Sequence, residues 1–145
     1  MQQGASSVTV VGHSLGAALA LLDGVYFHIQ LDPSVNVRVF GYGMPRVGNG
    51  DFANLVDSYL TGQVTHVNNL KDPIPILPSM FLGFRHPVGE VHITGHDTWV
   101  TCPGESLFRA SSRGTDESMR ACFQVRTTLL LSASSALSRA SSRAI

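Results

Sequence analysis

The run Val8-Thr9-Val10-Val11-Gly12-His13-Ser14-Leu15-Gly16-Ala17-Ala18-Leu19-Ala20 decides how the chain is read. Four β-favouring residues enter Gly-x-Ser-x-Gly, and a proline-free Ala/Leu-rich run leaves it, which puts Ser14 on a strand-to-helix corner. So sharp a turn forces its central residue into a strained backbone, and the flanking Gly12 and Gly16 are read as positions where a Cβ would collide. Ser14 is thereby held out beside the unpaired N–H groups of a helix N-terminus.

Working outward, Val8 to Val11 are apolar on both faces, as expected of an interior strand in a covered sheet. The helix is expected from Leu15 to about Gln30, where Asp32-Pro33 ends it. Val35, Val37 and Val39 alternate with polar or aromatic neighbours and give a second strand ending at Gly41. Met44-Pro45-Arg46-Val47-Gly48-Asn49-Gly50 is a loop. A second helix fits Asp51 to about Leu60, with Phe52, Leu55, Val56 and Tyr59 as its apolar face and Gly62 as its cap. Val64 to Asn68 is a third strand, and the alternation of strands and helices predicts parallel pairing with right-handed crossovers. The three prolines of Asp72-Pro73-Ile74-Pro75-Ile76-Leu77-Pro78 predict an extended loop. Phe84 to His86 and Glu90 to Thr94 are expected to pair as an antiparallel hairpin.

Length and composition bound the rest. The 145 residues, 43% hydrophobic and 14% charged, are enough for one domain with a core. The net charge of zero hides a split: residues 1–105 carry four basic and eight acidic side chains, whereas residues 106–145 carry six arginines and two acids. The first part has no basic cluster with interleaved aromatics, so nucleic acid is not an expected partner. There is no Cys-x-x-Cys and no phosphate loop, and no metal or cofactor is expected. Met1 to Ser7 lacks a signal-like apolar core, and no run approaches a membrane span. Cys102 and Cys122 would permit one disulfide or stand as two free thiols.

Beyond Glu105 the chain changes character. Ten of its last forty residues are serine, and Arg109-Ala110-Ser111-Ser112-Arg113 recurs as Arg139-Ala140-Ser141-Ser142-Arg143. Residues 106–145 therefore read as a low-complexity, disordered tail, the product expected of a shifted reading frame or a read-through intron.

A serine nucleophile needs a base and an acid to orient that base, and on such a sheet they follow in the order serine, carboxylate, histidine. Asp72 lies just past the carboxyl end of the third strand, the edge at which sites form in open parallel sheets. The chain resembles the fungal class 3 lipases, secreted α/β-hydrolases that cleave triacylglycerols and related esters. The resemblance rests on Val10 to Ala20, on Tyr42-Gly43-Met44-Pro45-Arg46-Val47-Gly48-Asn49, on His66 to Asn69 with Asp72-Pro73-Ile74-Pro75, and on Gly83 to Pro87 with Gly89 to Ile93. It covers about residues 5 to 104, hence a lipase domain at 1–105.

By this resemblance Ser14 is the nucleophile, Asp72 the triad acid and the Leu15 N–H one arm of the oxyanion hole. It implies a lipid ester as substrate, a lipid–water interface as transient partner and an extracellular location. It also implies departures. The strands that relatives place before the nucleophile strand, with their lid and second oxyanion donor, are absent, which would leave a flat apolar edge prone to aggregation. No histidine follows His96, so the triad histidine is not identified. His86 and His92 are expected as hairpin or surface residues without a catalytic role, His96 has no assigned role, His13 and His66 are expected to be packed, and His28 solvated.

The fold expected is thus a partial α/β-hydrolase with a mostly parallel sheet, an antiparallel hairpin and a tail. The expected function is a lipase or carboxylester hydrolase, inactive in this form for want of the histidine. Feruloyl esterases share the fold and stand as an alternative. A non-catalytic product whose basic Ser/Arg tail meets an acidic partner stands as another.

Overall fold

The computed structural model describes residues 4–102 of the chain. The expected tail at 106–145, with Cys122, lies outside the described residues. Strand β1 spans Ser7–His13, helix α1 Leu15–Gln30 and strand β2 Asn36–Tyr42. A two-residue strand β3 (Gly48–Asn49) leads into helix α2 (Gly50–Tyr59), and strand β4 is Val64–Asn69. Then follow β5 (Phe84–Arg85), β6 (Glu90–Gly95) and β7 (Thr98–Cys102).

The main sheet runs β1-β2-β4-β6-β7. The first three pairings are parallel and only β6–β7 is antiparallel. Right-handed crossovers with adjacent strands put α1 and α2 on one face, and there the core forms. Ala17, Ala20, Leu21 and Val25 of α1 meet Val37 and Val39 of β2, Val56 and Leu60 beside them, and Met44 and Val64. Gly24 lets α1 approach closely, because a Cβ there would stand 2.3 Å from Val39 Cγ2. Helix α2 is capped by Asn49, whose side chain accepts the Phe52 N–H at 3.0 Å.

Several expectations are corrected. β1 is not covered on both faces: exposed and half-buried residues alternate along it, with Val11 61% exposed, while its place at the edge of the described sheet, pairing β2, is the open edge expected. The buried side of α2 is Ala53 and Val56, continued by Leu60, while Leu55 and Tyr59 are exposed, because one stripe on so short a helix faces the sheet. The segment after Asp72 is not wholly extended but makes 3₁₀ turns at Ile74–Ile76 and Met80–Leu82. Proline is compatible with the first residues of such a turn, where its missing N–H would have no partner.

The anticipated hairpin does not form. β5 pairs antiparallel with β3, and β6 pairs with β4 and β7 instead. A central strand with two partners satisfies both of its hydrogen-bonding edges. The same sheet face that is apolar under β2 becomes polar toward β6, where His66, Asn68, Glu90 and His92 are buried. Asn68 Nδ2 donates to Glu90 Oε1 at 3.0 Å, one of the hydrogen bonds such groups require when buried. Cys102 is buried and disulfide-bonded, which removes the free-thiol alternative for it.

Candidate active site

Ser14 stands between β1 and α1 at φ 55° and ψ −126°, the left-handed side of backbone space that costs a side-chain-bearing residue about 1–3 kcal/mol. It is held there from both sides. Its N–H donates to Tyr42 O at 2.9 Å, and its carbonyl accepts the N–H groups of Ala17 and Ala18 at 3.0 and 3.3 Å. The serine hydroxyl makes no capping bond to the helix it precedes. The N–H of Leu15, ahead of the first intrahelical acceptor, is one of the orphan donors of the helix start. Gly12 is required by contact: a Cβ on it would lie 2.2 Å from Gly16 O. Gly16 is not, since nothing lies within 4 Å of a Cβ there among the described residues, which corrects the expectation that both glycines are crowded.

Asp72 follows β4 after a turn in which Leu70 takes φ 46° and the Asp72 N–H returns to Asn69 O at 3.0 Å. Its Oδ1 accepts the Ile74 N–H at 2.9 Å, so one carboxylate oxygen is anchored by its own loop. The other oxygen faces the end of β2, where a Cβ on Gly43 would be 2.8 Å from Asp72 Oδ2. Gly43 in turn donates its N–H to Val67 O at 2.9 Å. Ser14 is thus bonded to Tyr42 while Asp72 abuts Gly43, which brings the serine and carboxylate loops to adjacent residues of one strand end. A cleft of about 510 Å³, walled by His13, Tyr42, Gly43, Val67, Asp72 and Ile93, opens at this edge.

The histidines divide differently from expectation. His13 is exposed on the cleft rather than packed, because β1 places it on the uncovered side of the sheet. His66 is packed as expected. His86 and His92 are buried rather than superficial: His86 Nε2 donates to Pro75 O at 2.8 Å, and His92 Nε2 to Leu70 O at 3.0 Å. Both bonds reach the loop that carries Asp72, so these residues brace that loop. Sequence reading missed this, since buried donors aimed at loop carbonyls leave no periodic signal. His28 is exposed, as expected, and stacks on Tyr59. His96 is exposed beside Asp97. No cluster of three or more metal-ligating side chains occurs among the described residues.

A serine on a strained strand-to-helix corner, at the carboxyl edge of a mostly parallel sheet, defines the α/β-hydrolase class. The lipase (class 3) family model matches residues 1–82, and the chain belongs to that family. A secreted mono- and diacylglycerol lipase of Malassezia restricta is 42% identical over 100 residues, covering 68% of this chain and 33% of that protein. A similarly named lipase of Gibberella zeae is 38% identical over 101 residues, covering 68% and 32%. Among solved structures, lipase II from Rhizopus niveus superposes with a TM-score of 0.60 at 36% identity, over 68% of this chain and 39% of that one. A triacylglycerol lipase described as having a serine-protease triad gives 0.58 at 38% identity, over 65% and 36%. The chain spans about a third of the length of the curated relatives it matches.

Proposed function

We propose that this chain carries the nucleophile and acid of a lipase that hydrolyses acylglycerols or related lipid esters at a lipid–water interface outside the cell. The observation that carries the reading is the convergence of the Ser14 corner and the Asp72 loop on Tyr42–Gly43. Ser14 attacks the ester carbonyl once a histidine accepts its proton, and Asp72 orients that histidine. The Leu15 N–H donates to the oxyanion of the tetrahedral intermediate, and the start of α1 adds its positive dipole end. Collapse of that intermediate expels the alcohol and leaves an acyl-serine, which water hydrolyses to the fatty acid. The secreted mono- and diacylglycerol lipases named above support the substrate class and location.

Within the 145 residues no histidine follows His96. We infer that this segment alone turns esters over at no more than the residual rate left when a triad member is missing, about 10³ to 10⁴ over water at best. Labelling with a fluorophosphonate and hydrolysis of a short-chain ester test both statements. In the full-length protein, Ser14→Ala is expected to abolish labelling and turnover, and retained turnover would sink the assignment. Rapid labelling of the 145-residue chain by itself would overturn the inference about its residual rate.

A further inference from the structure

We propose that Gly43 is a positioning residue for the site, its missing side chain setting where the Asp72 carboxylate rests. The inference depends on the reading of Asp72 as the triad acid. Gly43 takes φ +56°, and a Cβ on it would stand 2.8 Å from Asp72 Oδ2, closer than a Cβ contact allows unless one of the two shifts. The same Cβ would be 3.8 Å from His13 Nε2, so the gap lies between two polar side chains that wall the cleft. Its N–H is fixed on Val67 O, and its neighbour Tyr42 holds the Ser14 N–H. Gly43 therefore cannot move off without disturbing β4 and the serine corner together.

What would yield to a methyl group is the free end of Asp72. A carboxylate oxygen at the tip of a side chain rotates away cheaply, whereas Oδ1 is retained by the Ile74 N–H. A methyl group at residue 43 should then leave the fold mostly intact and misdirect the carboxylate. Displacement of a catalytic group by about 1 Å costs on the order of a hundredfold in rate.

The test uses four variants of the full-length protein. Gly62 also has a left-handed backbone, φ +68°, with nothing within 4 Å of a Cβ, so Gly62→Ala carries the backbone strain without the contact. Asp72→Ser removes the carboxylate while its hydroxyl can still accept the Ile74 N–H. Gly43→Ala is expected to lower kcat for a short-chain ester about a hundredfold with KM within about threefold, and Gly62→Ala to leave kcat unchanged. On the Asp72→Ser background, adding Gly43→Ala should cost less than about threefold, because the group it acts through is gone. An equal loss on both backgrounds, or no loss on either, overturns the proposal. Should Gly43→Ala melt too low to assay, the Asp72→Ser/Gly43→Ala protein should melt higher than Gly43→Ala alone; equal or lower melting overturns it as well. Full kcat in Asp72→Ser would instead refute the role given to Asp72, and the melting comparison would still decide the contact.

Discussion

The imidazoles of His66 and His86 stack with ring centroids 4.8 Å apart and planes inclined by 19°, buried between β4 and the segment that follows β5. His66 Nε2 points at Pro87 O, 3.3 Å away, and His86 Nε2 at Pro75 O, so the pair ties two proline-containing segments to the sheet. His86→Phe keeps an aromatic ring in the stack but leaves the Pro75 carbonyl without this donor. It should cost about 1–3 kcal/mol of unfolding free energy, read from the urea midpoint at unchanged slope. A shift of the midpoint too small to resolve would show that the donor contributes nothing.

The two glycines of the elbow should respond in opposite ways. Gly12→Ala sets a methyl group against the Gly16 carbonyl, a backbone atom that cannot turn aside, and should fail to give soluble folded protein. Gly16→Ala sits in open space within α1 and should be neutral or stabilising by about 0.5–1 kcal/mol. Soluble yield of the two variants side by side, with thermal unfolding of Gly16→Ala, checks this, and an equal yield of folded protein from both would refute the elbow packing.

Arg46 is buried, and its guanidinium donates to Ile76 O and to Pro78 O, the latter at 2.9 Å. Met fills similar space without donors. Arg46→Met should therefore lose about 1.5–3 kcal/mol of stability and loosen the loop beyond Asp72, seen as faster amide exchange at Ile74, Ile76 and Leu77. Unchanged exchange there would mean that the loop is held by other contacts.

Partial burial holds the Asp57 carboxyl above the ordinary carboxylate range, opposed by the Val88 N–H that it accepts at 2.8 Å. A raised pKa in the folded state means the fold disfavours the ionised form, a cost present above the folded pKa and relieved as pH falls toward the unfolded value. Asp57→Asn can still accept from Val88, so it should be the more stable protein at pH 7. Its advantage should shrink as pH drops through the folded pKa and vanish below about 3.9. Denaturation of both proteins between pH 3 and pH 7 checks the trend, and a constant difference would contradict it.

The central part of the fold was legible because its signals are local. Gly12-His13-Ser14-Leu15-Gly16 after a β-branched run, the α1 stop at Asp32-Pro33 and the valine alternation of β2 are fixed by backbone stereochemistry and by the two periods of helix and strand. The position of Asp72 at a strand's carboxyl end was readable for the same reason. Pairing partners were not. Whether Phe84–Arg85 joins β6 or β3 depends on edges contributed from tens of residues away, and local propensity is the same in either case.

Tertiary structure alone decided the rest of the site. Burial of His86 and His92 against carbonyls of the Asp72 loop, exposure of His13 and the close approach of Asp72 Oδ2 to Gly43 each depend on what another segment places alongside. A side chain's chemistry is written in its own codon, but its surroundings are set by which distant strands satisfy their hydrogen bonds beside it.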